Sequence, residues 1–375
     1  MVTYEFTVKI CNILGLPISN VFSEFNSYDL LEDEKFILKL QKMNFDIVIG
    51  NPPYQLEGAS GGNNDAPIYQ IFAKIATSIS TQYVSLIIKS AWFTTGRENL
   101  LRDFRHHMLT SRTVSRLVVY PNSNILFPDV EIKGGCCFYL EDKKYRGKCE
   151  YTLVNNGIEE TSMRKLDAFD VLIRDPKVST IIEKIDEIRK EKGYGTVDTI
   201  ISADTPFGIP SNPRTSKKTP CKVYETKQNK DDVLLYHIQN GKRLIEYMSI
   251  NDIRKNVQDI PKYKVFVTGA GGSGNDKKIL GKPVFAEKNS ICSQSYLYSA
   301  FESKKEAVNF EKYLRTKFLR FIVSSIKITQ SASNRVYRFV PLINLNNEIT
   351  DKKLYKLFKL AQNEIKIIEN SIDVL

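Results

Sequence analysis

The sequence is poor in metal-binding residues. It has three histidines and six cysteines, and no two cysteines are spaced as Cys-x-x-Cys. Structural zinc sites need four such ligands at short spacings, so we expect no metal site. Since no secretory signal is present, we expect the cysteines to be reduced and mostly structural thiols. They are Cys11, Cys136, Cys137, Cys149, Cys221 and Cys292.

Long apolar runs are also absent, since no uninterrupted stretch is long enough to cross a bilayer. The sequence therefore predicts a cytoplasmic protein without membrane contact. Its 375 residues allow two domains with cores of their own, and a hydrophobic content of 42% is ordinary for globular proteins. The formal charge of +11 favours a polyanionic partner, because Lys and Arg attract phosphate groups. Genomic bias toward lysine is an alternative source of this charge.

The most informative stretch is the apolar run 45–50, which leads directly into Asn51-Pro52-Pro53-Tyr54. The run has the β-branched character of a buried parallel strand, and ligands of open α/β sheets bind where such strands end. Asn51 offers a side-chain carbonyl, Pro52 a backbone carbonyl without a competing N–H, and Tyr54 a ring face. These groups could orient and stack an exocyclic amine on a flipped base. A strand-ending turn without chemistry is the alternative.

This motif and later segments resemble the amino-group, adenine-N6 type DNA methyltransferases, in particular the Eco57I-like methylases of restriction-modification systems. The segments are 83–88, 90–93, 100–105, 124–140, 290–296, 327–330 and 337–341. The resemblance implies methyl transfer from S-adenosylmethionine to N6 of a flipped adenine in double-stranded DNA. It makes Asn51-Pro52-Pro53-Tyr54 the catalytic motif, with Asn51 and Pro52 accepting hydrogen bonds from the amine and Tyr54 stacking on the base.

One element of that family is missing from the sequence. These methyltransferases bind the cofactor with a glycine-containing loop after the first strand, where small residues let the backbone approach closely. Ahead of Gly50 the sequence has one glycine, Gly15, which reads as a helix end. The resemblance makes Asp29 a candidate cofactor ligand, with a helix cap or solvated turn as the alternative. We therefore expect a missing N-terminal segment or a partner subunit to bind the cofactor. The alternative is a truncated remnant, or a non-catalytic DNA-binding or specificity subunit.

Alternating strand and helix patterns predict an α/β fold that begins with part of a Rossmann-like, doubly wound methyltransferase sheet. We predict a partial catalytic domain over residues 1–165 and an α+β target-recognition domain with C-terminal helices over 166–375. Strand patterns lie at 83–88, 116–120, 135–140 and 264–267, and helical patterns at 67–76, 100–105, 175–192, 303–328 and 351–372.

Four side chains are candidates for DNA contacts. A phosphate-binding loop is followed by a helix, and no helical pattern follows the glycine-rich stretch 268–278. We therefore predict DNA contacts by Lys277 and Lys278 within it, with an ordinary hairpin connection as the alternative. Gln330 and Arg335 lie in a short polar span and are predicted to position the DNA backbone, with helix capping as the alternative.

Two further patterns in the sequence are less specific. The polar, glycine-rich stretch 57–65 could order over a flipped base or a phosphate, or be a mobile surface loop. Asp204, Glu225 and Lys227 have the types of side chain found in metal-dependent nucleases, but at a spacing common in charged chains. A cognate restriction endonuclease is accordingly expected as a partner rather than as an activity of this chain.

Overall fold

The computed structural model describes residues 27–56, 66–95, 98–128, 134–215, 221–271, 277–327 and 332–375, together with 8, 9, 11–13, 15, 18, 130 and 132. The chain divides into two compact units. The first comprises Met1–Ser90, Asn99–Tyr120 and Cys136–Met163, and the second Ala91–Glu98, Pro121–Gly135 and Arg164–Leu375. Two segments that lie within the predicted catalytic domain, 91–98 and 121–135, thus group with the second unit.

The first unit is built on six strands: β1 (Phe45–Gly50), β2 (Ser80–Lys89), β3 (Val114–Tyr120), β4 (Cys136–Asp142), β5 (Cys149–Asn155) and β6 (Ile158–Arg164). They form one mixed sheet in the order β1-β2-β4-β3-β5-β6. β1 and β2 are parallel, as are β3 and β5, whereas β4 runs antiparallel between β2 and β3. The α/β fold class and the predicted strands of this sheet are confirmed.

The helices of this unit are α1 (Glu34–Lys42), α2 (Tyr69–Ile79) and α3 (Glu98–Thr110). α2 and α3 lie on the same face of the sheet, because both contact Glu141 of β4. Its carboxylate accepts a hydrogen bond from Thr77 Oγ1 of α2 at 2.8 Å and pairs with His107 Nε2 of α3 at 3.1 Å. The rings of Tyr69 and Phe104 meet edge to face between the two helices, with centroids 6.0 Å apart. This helix-covered face holds the core of the unit.

β1 departs from its predicted environment. The apolar run 45–50 predicts a buried strand, and this prediction is wrong for the chain as described. β1 is an edge of the sheet among the described residues, with one neighbour, β2. Phe45, Ile47 and Ile49 are 38%, 57% and 75% exposed.

The second unit contains eight described strands: β7 (Gly195–Thr196), β8 (Val233–Gln239), β9 (Lys242–Met248), β10 (Tyr263–Thr268), β11 (Val284–Ala286), β12 (Ser290–Cys292), β13 (Tyr296–Phe301) and β14 (Pro341–Leu342). They form small sheets ordered β11-β10-β13, β12-β8-β9 and β14-β7. The described helices are α4 (Pro176–Glu191), α5 (Lys304–Arg315), α6 (Lys317–Ser324), α7 (Asp351–Leu357) and α8 (Gln362–Ser371). Within the described ranges, none of the helices is long and apolar enough to span a membrane.

The predicted helix 175–192 is confirmed as α4, and its start follows from local chemistry. The Asp175 side chain accepts hydrogen bonds from the backbone N–H groups of Lys177 and Val178. Pro176 occupies the first turn, where its missing N–H costs no helical hydrogen bond.

The predicted helix 303–328 is instead two helices, α5 and α6, separated at Thr316. Thr316 has an extended backbone, and its Oγ1 accepts from Leu319 N at 3.2 Å. The carboxylate of Asp351 accepts from Lys317 N at 3.1 Å and from Phe318 N at 2.8 Å. These side chains satisfy the donors of a new helix start, so the chain can turn within an uninterrupted helical pattern.

The predicted helix 351–372 is likewise divided into α7 and α8. Lys359 adopts a left-handed backbone conformation with φ of 50°, which ends α7. The Glu364 carboxylate accepts from Ala361 N at 2.6 Å and begins α8.

Candidate active site at the carboxyl end of the first strand

The Asn51-Pro52-Pro53-Tyr54 turn, which directly follows β1, is fastened to the start of α2. The carbonyl of Tyr54 accepts from Ile68 N at 3.1 Å, and Leu56 N donates to Ala66 O at 3.2 Å. Gln55 forms an isolated bridge with Pro67. The turn is thus held by backbone bonds between the two ends of the stretch 57–65, which itself lies outside the described residues.

The two prolines explain why β1 ends here. Each proline lacks an N–H donor and has φ fixed near −65°, so the strand ladder does not continue through them. Asn51 is exposed, and its side chain makes no hydrogen bond among the residues that the structure describes. Its amide oxygen is therefore available to accept from a ligand amine.

Tyr54 is half-buried, and its phenol oxygen contacts a cysteine thiol. The Cys136 Sγ lies 4.0 Å from Tyr54 Oη, at the limit of a thiol hydrogen bond. Burial raises the pKa of Tyr54 well above its ordinary value of 10, so the phenol is neutral at physiological pH. Burial also raises the pKa of the Cys136 thiol. Tyr54 is consequently a neutral aromatic side chain suited to stacking rather than to proton transfer.

Cys136 was not among the side chains predicted for this site. β4 returns antiparallel to β2 and pairs Cys136 with Lys89, the last residue of β2. This pairing places the start of β4 beside the carboxyl ends of β1 and β2. The sequence has no local signal for the arrangement, because it depends on strand order rather than on spacing.

Asp29 lies in a short 3-10 helix, Ser27–Leu31, ahead of α1. Asp29 is exposed, and its backbone carbonyl accepts a hydrogen bond from Asp33 N at 2.9 Å. The role of Asp29 toward a cofactor stays a prediction.

Lys277 and Lys278 are exposed residues with a fixed backbone. Lys277 O accepts from Asp373 N at 3.1 Å, and Lys278 O accepts from Arg320 Nη1 at 3.2 Å. The glycine-rich stretch ahead of them connects the antiparallel strands β10 and β11, as the hairpin alternative predicts. Their contacts with DNA stay predictions.

Arg335 is exposed in the 3-10 helix Asn334–Tyr337, where its Nη1 donates to Thr95 O at 3.4 Å. Gln330 lies outside the described residues. Over the part of the chain that the structure describes, no group of three or more His, Cys, Asp or Glu residues could hold a metal ion.

Residues 11–127 match the model of the Eco57I restriction-modification methylase family. A stretch of 164 residues is 31% identical to an uncharacterized adenine-specific methylase of Mycoplasma pneumoniae, and the match covers 40% of this chain and 38% of the relative. The family segment includes β1, the Asn51–Tyr54 turn, α2, β2 and α3. The resemblance to restriction-modification methylases is therefore confirmed.

Two solved restriction-modification structures are similar at low identity. The type IIL enzyme MmeI in complex with DNA is 11% identical, with 88% of this chain and 50% of that chain covered and a TM-score of 0.42. The type IIG endonuclease BpuSI is also 11% identical, with 88% and 54% covered and a TM-score of 0.35. The chain thus spans about half the length of these enzymes and 38% of the Mycoplasma relative.

Proposed function

We propose that this chain forms the base-binding part of an adenine-N6 DNA methyltransferase of a restriction-modification system. The observation that carries the proposal is the turn Asn51-Pro52-Pro53-Tyr54 at the end of β1, inside the segment that matches the methylase family. The first unit would hold the flipped adenine, and the second unit would recognise the target sequence.

Asn51 and Pro52 would orient the adenine amine. The exposed Asn51 amide oxygen and the Pro52 carbonyl are both acceptors, and the 6-amino group has two hydrogens to donate. Accepting both hydrogens favours a pyramidal nitrogen and directs its lone pair toward the incoming methyl carbon. The two acceptors therefore activate a weak nucleophile, and the reaction needs no covalent intermediate with the protein.

Tyr54 would hold the face of the extruded base. The Cys136 thiol contacts its phenol oxygen, and the face of an aromatic ring can stack on a base. Stacking on an aromatic side chain is worth about 1–3 kcal/mol per base, which offsets much of the cost of extrusion from the duplex.

S-adenosylmethionine is the methyl donor that the methylase family implies. The described residues do not form a site that fits it: no strand followed by a glycine loop lies beside β1, whose outer side is exposed. Asp29 alone is no substitute for such a loop. A cofactor would therefore be held by residues other than those that the structure describes.

The charge of +11 and the family match support double-stranded DNA as the substrate. A cognate restriction endonuclease would act on the same sites when they are unmethylated, and the protein would work in the cytoplasm, where the genome is.

The proposal is tested by expressing the native genomic locus, with its neighbouring reading frames, in a host that lacks adenine methylation. Mass spectrometry of digested DNA should then detect N6-methyladenine, and sequencing should place it at one recurrent site. Asn51→Ala should abolish the mark while preserving duplex affinity, whereas Asn99→Ala, on the exposed surface of α3, should leave it unchanged. Methylcytosine, methylated RNA or an active Asn51→Ala variant would contradict the assignment.

The exposed edge of β1 also supports the alternative of a DNA-binding or specificity subunit without catalysis of its own. Calorimetric titration of the isolated chain with S-adenosylmethionine separates the alternatives. Saturable binding supports a self-sufficient enzyme, while DNA binding without cofactor binding supports a subunit or remnant.

A further inference from the structure

One exposed arginine of the second unit is held by two buried side chains. The side chain of Arg214 is 40% exposed, and its Nη2 donates to Oε1 of Glu246, whose side chain is 10% exposed. The other carboxylate oxygen, Oε2, lies 2.7 Å from Nε2 of His237, which is fully buried. Burial acts to raise the pKa of Glu246, but hydrogen bonds from Arg214 and His237 lower it. The carboxylate is therefore ionised at neutral pH and accepts from both neighbours.

The backbone that carries these three side chains is fixed. The antiparallel register of β8 and β9 makes His237 and Glu246 diagonal neighbours on one face of their sheet. Arg214 lies in the turn between Pro213 and Cys221, in which Pro213 O accepts from Cys221 N at 3.0 Å. The arginine is thus held at its backbone by this turn and at its guanidinium by Glu246.

This arrangement leaves a two-donor edge of Arg214 for a ligand. Arginine often pairs with a carboxylate through both oxygens, but Glu246 binds the guanidinium through Oε1 alone, because Oε2 is bonded to His237. A guanidinium has five N–H donors, and Arg214 uses one of them within the described ranges. Whichever Nη2 hydrogen faces Glu246, two neighbouring donors remain in one plane.

The charges around Arg214 disfavour a phosphate group as this ligand. The hydrogen bond and the charge of Glu246 raise the pKa of Arg214, and the charge of Glu225 raises it further. Two carboxylates thus act on one guanidinium, and both would repel a phosphate anion. The O6 and N7 atoms of guanine are uncharged acceptors that lie side by side, and a planar guanidinium edge matches them.

Stability alone does not explain the buried pair behind Arg214. Exposed ion pairs contribute little to the free energy of unfolding, and burying an ionised carboxylate costs free energy. A carboxylate that fixes the guanidinium before DNA arrives reduces the side-chain entropy lost on binding. The position of Glu246 and His237 is therefore better explained by what Arg214 binds.

We propose that Arg214 reads one guanine of the DNA target through O6 and N7, and that Glu246, itself held by His237, is the positioning residue for its guanidinium. This inference rests on the proposed function, in which the second unit recognises the target sequence. Arg214 is then a specificity-determining residue, and its loss relaxes recognition at a single base pair.

The test uses the complete protein from the native locus and does not depend on methylation. Duplexes that the protein binds are selected from a pool of random sequence and sequenced. We expect Arg214→Ala and Arg214→Lys to lose the preference for guanine at one position by about 5- to 150-fold, the range for one bidentate base contact. The other positions should be unchanged. Lysine should not restore the preference, because it lacks the planar pair of donors.

Arg116→Ala is the matched control, since Arg116 is an exposed arginine of the first unit whose Nε lies 2.8 Å from Glu150 Oε1. This variant should select the wild-type sequence. A second measurement replaces each guanine of the selected site by 7-deazaguanine, which lacks N7. Binding of the wild-type protein should weaken at one of these guanines, and binding of Arg214→Ala should not respond there.

The positioning role of Glu246 is tested by Glu246→Ala. This variant should reduce the preference at the same base pair as Arg214→Ala, and combining the two substitutions should add nothing to the effect of Arg214→Ala. Thermal unfolding shows whether the variant folds. A folded Glu246→Ala variant with an unchanged guanine preference would overturn the positioning role.

Three results would overturn the reading of guanine by Arg214. Equal weakening of all duplexes would assign the arginine to phosphate. An unchanged preference would leave Arg214 and Glu246 as a surface ion pair. A change confined to an A·T pair would assign the arginine to another base.

The inference and the proposed function fail separately. A guanine preference that depends on Arg214, in a protein that methylates cytosine, would keep the inference and overturn the function. Methylation of adenine at a site whose sequence does not change in Arg214→Ala would keep the function and overturn the inference.

Discussion

Cys136 Sγ lies 4.0 Å from Tyr54 Oη, so the thiol contacts the phenol oxygen of this side chain. We therefore predict that Tyr54→Phe retains most activity, because the stacking surface is unchanged. Tyr54→Ala should weaken binding of the flipped base by about 1–3 kcal/mol, or roughly 5- to 150-fold. Fluorescence of 2-aminopurine at the target position measures this extrusion. An inactive Tyr54→Phe variant would instead assign a role to the hydroxyl.

Lys277 and Lys278 are predicted to contact phosphate groups. Each substitution by alanine should lower the affinity similarly for target and non-target duplexes, because phosphate contacts carry no sequence information. The slope of log K against log salt should fall by about 0.9 for each lysine removed. Lys352→Ala, at an exposed position of α7, is the control. Unchanged slopes for Lys277→Ala and Lys278→Ala would remove both residues from the DNA interface.

The His107–Glu141 pair predicts how stability depends on pH. The hydrogen bond to Glu141 raises the pKa of His107 above its ordinary 6.5, against the effect of burial. Burial acts to raise the pKa of Glu141, but hydrogen bonds from His107, Thr77 and Thr113 lower it below its ordinary 4.5. The His107 contribution is complete below pH 6.5 and is lost as the pH rises through the raised pKa. The Glu141 contribution is complete above pH 4.5 and is lost as the pH falls through the lowered pKa.

The contribution of this pair to the free energy of unfolding should therefore be largest between pH 4.5 and 6.5. Thermal unfolding at a series of pH values measures it. His107→Gln should remove the decline on the alkaline side and lower stability within the window. His106→Gln should not, since the histidine that contacts Glu141 is His107 rather than its neighbour on the same helix. Equal pH profiles for wild type and His107→Gln would show that the pair does not contribute.

The parts of the fold that local patterns specify could be predicted from the sequence. The presence of a strand at 45–50, although not its burial, and the helix that begins at Asp175 are examples, because short-range chemistry determines both. The breaks at Thr316 and Lys359 could not be predicted, since both interrupt continuous helical patterns. At Thr316 the new start depends on Asp351, a residue far along the chain.

The candidate site shows the same division. The residue types of Asn51 and Tyr54 predict acceptors and a stacking ring, and the family match supports their setting. Cys136 and the exposure of β1 were not predictable, because both depend on which strands lie side by side. Strand order is set by the whole chain and leaves no trace in local periodicity.

The central claim, that an adenine is held by its edge and its face at the end of β1, is tested most directly by photocrosslinking. The complete protein from the native locus is bound to a duplex with 5-iodouracil in place of the target adenine and is then irradiated. Mass spectrometry should place the adduct on Tyr54, and Tyr54→Ala should lose it. An adduct confined to residues of the second unit, with none on the Asn51–Tyr54 turn, would contradict the account.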